Sequence, residues 1–368
     1  MYRNTFVEID RAALHRNFQQ YHNILPPGGE LMAVVKADGY GHGAIEVSKI
    51  AETEGVTWLG VATLDEGIAL REAGIELSIL VLGPWTIDSI PGFSEHHLTP
   101  LVYSLESAEG LQAHGEASGI YYCVHLKVDT GMGRLGLNRE QLNTFLGRSW
   151  PNLLVEGITS HLAQADSGIP QKTLGQIHRF WAINEGIDAH FMPRWLHLAN
   201  SAATSEFIED QGNLFRVGIG LYGQMPSKTL LSPPTLQQAM SFKTQVLQLQ
   251  WFEPNTPLGY GATFTTDRKT KVACIGVGYA DGYARGLSNR AEVLIRGHRA
   301  PVVGTVCMDI TLVDVTDIPE VALEDEVVLI GRQGDQEIFA SELAEILGTI
   351  NYEICCAISK RVPRIYRN

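Results

Sequence analysis

Short apolar runs alternate with amphipathic segments along the first part of the chain. Eight runs are apolar enough to form buried strands: Leu31–Val35, Trp58–Ala62, Ser78–Leu82, Thr99–Tyr103, Tyr121–Val128, Leu154–Thr159, Trp195–Leu198 and Phe215–Ile219. Segments with helical spacing lie before and between them: Arg11–Leu25, Ala44–Glu54, Leu64–Ala73, Leu105–Ser118, Arg139–Arg148, Pro170–Glu185 and Ser201–Ile208. The alternation predicts a parallel sheet with crossover helices, and eight units in roughly 200 residues favour a (β/α)8 barrel of the TIM type.

The pattern changes after Tyr222. The segment Gly223–Pro234 is rich in proline and is typical of a linker between domains. Beyond it, closely spaced strands predict a mainly β domain: Met240–Gln250, Lys271–Tyr279, Ala291–Ile295, His298–Val303, Ile310–Val315 and Glu326–Ile330, with one helix at Phe339–Leu347. We therefore expect an α/β barrel over residues 1–230 and a β-rich C-terminal domain over 231–368. The first strand, about residues 1–9, could pack with the second domain.

The bulk properties narrow the possible partners. The formal net charge of −13 argues against nucleic acid or an anionic membrane surface. No window approaches the roughly 18 apolar residues of a membrane span, and no secretory signal is visible. Five cysteines, none of them in a CxxC motif, indicate buried thiols in a reduced, cytoplasmic protein without a metal site.

Cationic side chains collect where the predicted strands end. Barrel enzymes place their reactive groups at the C-terminal ends of the strands. Those ends carry Lys36, Lys127, Arg134, His161 and Arg216. Polar residues gather wherever strands become loops, but four cations on one rim of an acidic protein favour an anionic ligand.

The last two strand ends point to a phosphate. Asn200 and Ser201 stand at a helix start, and Gly218 belongs to a glycine-containing run in which the backbone can approach a ligand closely. In such barrels the loops after strands seven and eight form the usual phosphate site. A phosphate site together with the strand-end lysine Lys36 suggests pyridoxal 5'-phosphate, which carries both a phosphate and an aldehyde that a lysine can capture.

Motifs along nearly the whole chain resemble those of the alanine racemases. They are AVVKADGYGHG around Lys36, LKVDTGMGRLG at 126–136, GITSHLAQAD at 157–166, HLANSAA at 197–203, RVGIGLYG at 216–223, GYGATF at 259–264, GYADGYAR at 278–285, GTVCMD at 304–309 and INYEICC at 350–356. The resemblance implies a pyridoxal-phosphate barrel followed by a β domain, working as a homodimer with active sites shared between subunits.

The resemblance also implies roles for single residues. Lys36 binds the cofactor and is the base on one face, and Tyr260 of the partner subunit is the base on the other. Arg216 donates to the pyridine nitrogen, and His161 supports Arg216. The cofactor-binding residues so implied are Lys36, Tyr40, Arg134, His161, Asn200, Ser201, Arg216, Gly218, Ile219 and Tyr352.

Further residues are assigned to the substrate and its surroundings. Arg134 and Met308 lie near the substrate, and His197 is similar to a residue that hydrogen-bonds the catalytic tyrosine. Lys127 matches a position that is carbamylated in some members. Tyr279, Arg285 and Asp309 match residues of the access channel. The family usually has an apolar residue or proline at the position of Cys355, and we expect both Cys355 and Cys356 to be buried.

The resemblance implies interconversion of L- and D-alanine, with D-alanine supplied for peptidoglycan. A broad-specificity or serine racemase shares nearly all of these motifs. A decarboxylase is expected to have an acid in place of Arg216. A non-catalytic pyridoxal-phosphate carrier is expected to end near residue 230 and to lack Tyr260.

Overall fold

Eight parallel strands form the first half of the molecule, as predicted. The computed structural model describes residues 3–185, 187, 193–206 and 211–368. The first strand of the chain, β1 Phe6–Asp10, is followed by the eight parallel strands: β2 Glu30–Val34, β3 Trp58–Val61, β4 Ser78–Val81, β5 Thr99–Val102, β6 Tyr122–Lys127, β7 Leu153–Thr159, β8 Trp195–His197 and β9 Leu214–Val217. The order β8-β7-β6-β5-β4-β3-β2-β9 leaves β1 outside the sheet. Hydrogen bonds from Asn213 N to Leu196 O, 2.9 Å, and from Arg216 N to Ala199 O, 3.4 Å, link β8 to β9 and bring the two ends of the sheet together.

Helices follow most of these strands. They are Arg11–Ile24, Ala44–Thr53, Leu64–Glu72, Ile90–Glu95, Leu105–Ser118, Arg139–Leu146, Pro170–Glu185 and Ser201–Glu206. Asp10 caps the first of these helices and accepts the N–H of Ala13 at 2.8 Å. Thr63, Ser104 and Asn138 begin three other helices with reciprocal capping boxes. The weak third unit has a short 3-10 turn, Ile87–Ser89, before its six-residue helix.

Large apolar side chains fill the barrel interior. The buried cluster contains Met32, Trp58, Leu80, Leu101, Trp195 and Leu214, with Leu82 packed against it. The six buried residues come from six different strands. Side chains of this kind fill the centre of a barrel of this size, so no pore remains. This apolar layer occupies the barrel interior, and the polar residues of β6, β7, β8 and β9 interact with one another nearer the strand ends.

The second half of the chain is mainly β, also as predicted. Its strands are β10 Met240–Phe252, β11 Pro257–Leu258, β12 Phe264–Thr265, β13 Thr270–Ile275, β14 Glu292–Ile295, β15 His298–Pro301, β16 Thr311–Asp314, β17 Glu326–Gln333, β18 Gln336–Ile338 and β19 Arg364–Arg367, and its helices are Ala340–Leu347 and Asn351–Ala357. The main path runs β15-β14-β17-β10-β1-β19. β10 is long enough to pair with β1 and β17 in its first half and with β13 in its second.

The chain divides into two compact units, with one boundary just after the predicted linker Gly223–Pro234 and the other inside the helix Arg11–Ile24. One unit comprises residues 1–14 and 237–368, and the other comprises 15–236. β1 belongs to the first unit because it pairs antiparallel with β10 and parallel with β19. The N-terminal strand therefore completes the sheet of the C-terminal unit.

Several elements of the second half differ from the prediction, which did not include the short strands β11, β12, β18 and β19. The strand predicted to reach Tyr279 ends at Ile275, because Asp281 and Gly278 close a 3-10 turn at Tyr279–Asp281. The helix Asn351–Ala357 was not predicted. Among the described residues no helix is long and apolar enough to cross a membrane, and no cluster of three or more histidine, cysteine or acidic side chains could hold a metal.

Candidate active site

Lys36 lies directly beyond β2, and the chain turns in an unusual way after it. Ala37, Asp38 and Gly39 have φ of 53°, 53° and 60° with ψ between 43° and 49°, and Tyr40 has φ of 52°. These four residues form one turn of left-handed helix. For L-residues this conformation costs about 1–2 kcal/mol each, so neighbouring contacts must stabilise it.

Side chains of the same motif supply part of that support. Asp38 Oδ1 accepts the N–H of Ala44 at 3.0 Å. His42 Nδ1 lies 3.1 Å from Gly39 O and 3.0 Å from Tyr40 O, and since carbonyls only accept, Nδ1 carries the proton. The motif that follows Lys36 therefore includes the residues that its own turn requires.

Arg216, on β9, is a buried cation among neutral acceptors. Its Nη1 donates to Thr159 Oγ1 and His197 Nδ1, both at 3.0 Å, and its Nη2 donates to Ser160 O at 2.8 Å and to Leu198 O and His161 Nδ1 at 3.1 Å. Burial lowers the pKa of Arg216 to about 9, so the guanidinium stays charged at neutral pH. The side chain is held rigidly at the barrel rim with a charge that its partners do not neutralise.

These contacts determine the tautomers of the neighbouring histidines. Arginine has no acceptor, so Nδ1 of His197 must accept and its Nε2 must carry the proton. That N–H donates to His125 Nδ1 at 2.8 Å, which leaves the proton of His125 on Nε2, 3.7 Å from Glu156 Oε1. A directed chain of hydrogen bonds thus runs from Arg216 through His197 to His125.

The position of His197 does not match its expected contact with the catalytic tyrosine. His197 is fully buried, and both of its ring nitrogens are engaged, one with Arg216 and one with His125. The expected contact between His161 and Arg216 is present in the structure. His161 accepts from Arg216 at Nδ1, and as a neutral ring it carries its proton on Nε2.

The cationic cluster lowers the pKa values of its buried members. Burial first, and then the charge of Arg216, lowers the pKa of His161 and of His197 well below the usual value. The same two causes, with a further contribution from Arg134, lower the pKa of Lys127 well below its usual value. The charges of Lys127, Arg134 and Lys36 also act on His161, so the structure brings these predicted rim residues together.

Ser201, Gly218 and Tyr40 form a cradle on the same unit. The hydroxyl of Ser201 accepts the N–H of Gly218 at 2.9 Å. A Cβ at Gly218 would lie 2.4 Å from the Tyr40 hydroxyl, so only glycine admits that hydroxyl to the backbone. Asn200 caps the helix that begins at Ser201, and its Oδ1 accepts the N–H of Ala203 at 3.0 Å. Ile219 begins the 3-10 turn that follows Gly218.

Asp129 shapes the loop that presents Arg134. Its carboxylate accepts the N–H groups of Gly131, Met132 and Gly133 at 2.8–3.2 Å. Burial alone would raise the pKa of Asp129, but these hydrogen bonds bring it below its usual value. Arg134 itself is exposed at the loop tip.

The C-terminal unit gathers a second group of predicted residues. A cavity of about 710 Å³ is lined by Tyr260, Tyr279, Arg285, Met308 and Asp309, together with Thr305, Val306, Cys307, Ile310 and Leu312. The Tyr260 side chain is 75% exposed and Met308 is 53% exposed, so this face presents apolar surface to its surroundings. Tyr352 lies on the unpredicted helix Asn351–Ala357 and does not line this cavity.

Asp281 fixes the geometry around Tyr279. Its carboxylate accepts from Arg3 Nη1 and Nη2 and from Arg361 Nε, all at 2.6 Å, and from Gly278 N at 3.0 Å. Arg361 Nη2 also donates to Asp309 at 2.6 Å. Two residues of the predicted access channel, Tyr279 and Asp309, are thereby tied to one buried carboxylate.

The prediction of buried thiols holds for Cys355 only. Cys355 is fully buried, and burial raises its pKa to about 12, whereas Cys356 and Cys123 are exposed and Cys274 and Cys307 are half-buried. Adjacent helical positions point about 100° apart, because a turn takes 3.6 residues. One thiol of the pair faces inward, and the other faces outward.

The fold and this site define a class of protein. A barrel rim with a lysine at a strand end, a glycine cradle at the last strand and a buried guanidinium is an arrangement that suits pyridoxal phosphate. Residues 9–226 match the alanine racemase N-terminal domain, and residues 239–366 match the alanine racemase C-terminal domain. The chain therefore belongs to the alanine racemase family, and the predicted fold, family and enzyme class, a pyridoxal-phosphate-dependent racemase, are confirmed.

Named relatives and solved structures agree with this family. The chain is 45% identical to alanine racemase of Geobacter sulfurreducens over 382 residues, covering 100% of this chain and 98% of the relative, and 42% identical to that of Halothermothrix orenii over 369 residues, covering 100% and 97%. Alanine racemase of Clostridium difficile 630 superposes with a TM-score of 0.94 at 35% identity, covering 100% of this chain and 96% of that one. Alanine racemase from Bacillus anthracis with bound L-Ala-P gives 0.92 at 38% identity and the same coverage.

Several residues that support the site were not predicted. They are Glu66, His42, His125, Thr159, Asp281 and Arg361. The Thr63-x-x-Glu66 spacing of a capping box was a signal for Glu66, since that pattern places a carboxylate at a helix start. His42 contacts only its own turn, at Gly39 and Tyr40, in the contacts described above. The remaining four have no local signal for the site, because the partners that tie them to it lie far away in the sequence.

Proposed function

We propose that this protein interconverts L- and D-alanine, and that Lys36 and Tyr260 act as bases on opposite faces of a bound pyridoxal phosphate. The observation that carries the proposal is the buried Arg216 guanidinium, held among neutral acceptors at the barrel rim. Arginine can only donate, so it suits an acceptor such as the unprotonated ring nitrogen of the cofactor.

The described residues fit this cofactor. The Gly218 backbone and the hydroxyls of Tyr40 and Ser201 offer a cradle for its phosphate, with Asn200, Ile219 and Tyr352 as further candidates. When bound, pyridoxal phosphate supplies an aldehyde for a lysine and a conjugated ring that stabilises negative charge at the substrate α-carbon. Arg134 is the candidate for the cofactor's phenolic oxygen.

Two bases explain inversion at carbon. One base takes the α-proton from one face while the other returns a proton to the opposite face, so no proton is gained or lost overall. In this proposal Tyr260 comes from the partner subunit. His161 takes the role first expected of His197, because its protonated Nε2 can orient the tyrosine oxygen, whereas both nitrogens of His197 are engaged.

The remaining predicted residues serve the substrate. Arg134 and Met308 are proposed to border its carboxylate, and Tyr279, Arg285 and Asp309 to line its access channel. Lys127 is a candidate for carbamylation, because a pKa well below its usual value favours the neutral amine, the form that reacts with carbon dioxide.

Exposed apolar surface supports a homodimer with shared active sites. Tyr260, Tyr279, Met308 and Ile310 are each at least 39% exposed around one cavity, and a second copy of the chain would cover them. We further propose that the enzyme works in the cytoplasm and supplies D-alanine for peptidoglycan.

Separate incubation with single L-amino acids tests the substrate. The purified protein, loaded with pyridoxal phosphate, should form D-alanine faster than any other D-enantiomer by chiral chromatography. If D-serine formed faster than D-alanine, the protein would be a broad-specificity or serine racemase rather than an alanine racemase. Cofactor binding without any D-product would favour the carrier alternative.

Hydrogen exchange tests the two bases. The equilibrium constant of a racemisation is one, so kcat/KM must stay equal in both directions for any variant, and the test has to follow the proton itself. In deuterated water, Tyr260→Phe should still exchange the α-proton of one enantiomer without inverting it, while Lys36→Ala should lose the covalent link to the cofactor. Equal exchange of both enantiomers by Tyr260→Phe would reject two separate bases.

A further inference from the structure

The left-handed turn after Lys36 needs an anchor at its first residue. Asp38 and His42 contact Ala44, Gly39 and Tyr40, and so they hold the later part of the turn. These three contacts lie beyond Ala37, the first left-handed residue of the turn. A turn of this hand in L-residues persists only where surrounding contacts hold it.

Glu66 provides that anchor from the neighbouring strand unit. Its Oε1 accepts the N–H of Ala37 at 2.7 Å. Its Oε2 accepts the N–H of Ala62 at 2.7 Å and lies 3.4 Å from the N–H of Thr63. One carboxylate therefore joins the residue that follows Lys36 to the end of β3.

The local structure explains why an acid occupies this position. Glu66 is the third residue of the helix Leu64–Glu72 and closes a capping box with Thr63, whose Oγ1 accepts the N–H of Glu66 at 3.3 Å. A negative charge is favoured at a helix start, where backbone N–H groups point outward. A capping box pairs N–H groups at the start of its own helix. In this one, the second carboxylate oxygen of Glu66 also accepts the N–H of Ala37, which lies in another loop.

We infer that Glu66 is a positioning residue for Lys36. It fixes the peptide after Lys36 and so sets the direction in which the lysine leaves the barrel rim. The inference rests on the proposed function, in which Lys36 binds the cofactor and moves the α-proton. Small displacements of a reacting group cost large factors in rate, so a fixed backbone at this point favours catalysis.

Amide hydrogen exchange of the holoenzyme tests the contact directly. Glu66→Ala and Glu66→Gln are compared with Thr63→Ala, which weakens the same helix start without removing the acceptor of the Ala37 N–H. We expect a peptide covering residues 36–44 to exchange about ten- to a hundredfold faster in Glu66→Ala than in the wild type, because a hydrogen bond to a charged acceptor is lost. Thr63→Ala should leave that peptide unchanged, and Glu66→Gln, which keeps one acceptor oxygen, should lie between.

Kinetics and cofactor labelling complete the test. We expect Glu66→Ala to lower kcat about ten- to a hundredfold, with much less change in KM and with an altered visible circular dichroism of the bound cofactor. Thr63→Ala should keep the wild-type kcat and spectrum. If Glu66→Ala does not fold, Glu66→Gln provides the same comparison with the acceptor partly retained.

A further labelling experiment distinguishes failure of the proposed function from failure of the positioning role of Glu66. Borohydride reduction of the wild-type holoenzyme should fix the cofactor to Lys36, as located by peptide mass spectrometry. A label elsewhere would overturn the proposed function and this inference with it. A label on Lys36, together with Glu66 variants that behave like Thr63→Ala in exchange, kcat and spectrum, would overturn the positioning role alone.

Discussion

His197 accepts a hydrogen bond from Arg216 at Nδ1, 3.0 Å from the guanidinium nitrogen. This contact decides the tautomer of His197 and, through it, that of His125. An acceptor at this point keeps a buried cation hydrogen-bonded.

The first prediction separates the acceptor from the imidazole ring. In His197→Asn the amide oxygen takes the place of Nδ1, whereas His197→Leu leaves Arg216 without that acceptor. We expect His197→Leu to lower the free energy of unfolding by about 2–3 kcal/mol, the range for hydrogen bonds to charged groups, and His197→Asn to lower it by clearly less. Urea unfolding measures both. Equal losses would mean that packing, and not the contact with Arg216, sets the stability.

The second prediction concerns the stability of the barrel at mildly acidic pH. The pKa of His125 is lowered to about 3, first by burial and then by the charge of Arg216, and the pKa values of His161 and His197 are also well below the usual value. Below pH 6.5 the unfolded chain takes up more protons at these histidines than the folded chain does. Folding stability is therefore present above that pH and is lost as the pH falls.

The expected slope can be measured. His125 should contribute about 1.4 kcal/mol per pH unit to the free energy of unfolding between pH 6 and 5, and His161 and His197 should increase the slope in the same direction. In His125→Asn the pH dependence of the free energy of unfolding should lose the contribution of His125, since the amide oxygen still accepts from His197 but does not titrate. A slope unchanged by His125→Asn would show that His125 is already protonated in the folded protein.

The third prediction tests the cradle at Gly218. A Cβ there would lie 2.4 Å from the Tyr40 hydroxyl and 2.9 Å from Tyr40 Cζ, so Gly218→Ala must displace the tyrosine ring. We expect about tenfold weaker binding of pyridoxal phosphate, because one hydrogen bond to a charged phosphate is lost or misplaced. Fluorescence titration of the apoenzyme gives the dissociation constant. Tyr40→Phe combined with Gly218→Ala should be little worse than Gly218→Ala alone, and a fully additive loss would contradict a shared site.

The fourth prediction concerns the carboxylate of Asp281. Burial would raise its pKa, but hydrogen bonds from Arg3, Arg361 and the Gly278 N–H bring it below the usual value. The stability that it contributes is present above about pH 4 and is lost as the pH falls through the lowered pKa. Asp281→Asn should lower the free energy of unfolding by about 2–3 kcal/mol at pH 7 and should flatten its decline between pH 4 and 2.

Asp309→Asn is the matched control for Asp281→Asn. Asp309 also pairs with Arg361 at 2.6 Å, but its side chain is 56% exposed whereas that of Asp281 is not exposed at all. An exposed ion pair contributes about 0–1 kcal/mol. Comparable losses in both variants would place the stability in Arg361 rather than in the buried carboxylate.

The sequence predicted the features that repeat and the residues that stand at strand ends. The eight apolar runs and the lysine after the first of them were visible because buried parallel strands are continuously apolar. Glycines and caps marked the turns. The direction of the Lys36 turn was not visible, since three of its four left-handed residues, Ala37, Asp38 and Tyr40, are not glycine.

Long-range polar contacts explain most of the remaining differences. Nothing in the local sequence of His197 says that its ring nitrogens contact Arg216 and His125, and so these two contacts were not predicted. Asp281 is likewise joined to Arg3 and Arg361 by the fold alone. The pair Cys355 and Cys356 could be separated only once the helix that carries them was known.

The pairing of β1 has a consequence for how the protein is made. Phe6–Asp10 precedes the whole barrel along the chain, yet its two neighbours, β10 and β19, are translated after the barrel. Until then this strand has unpaired edges, which invite association with other nascent chains. The C-terminal sheet therefore cannot close in the order of synthesis, and chaperone binding near the N-terminus would protect the strand during that interval.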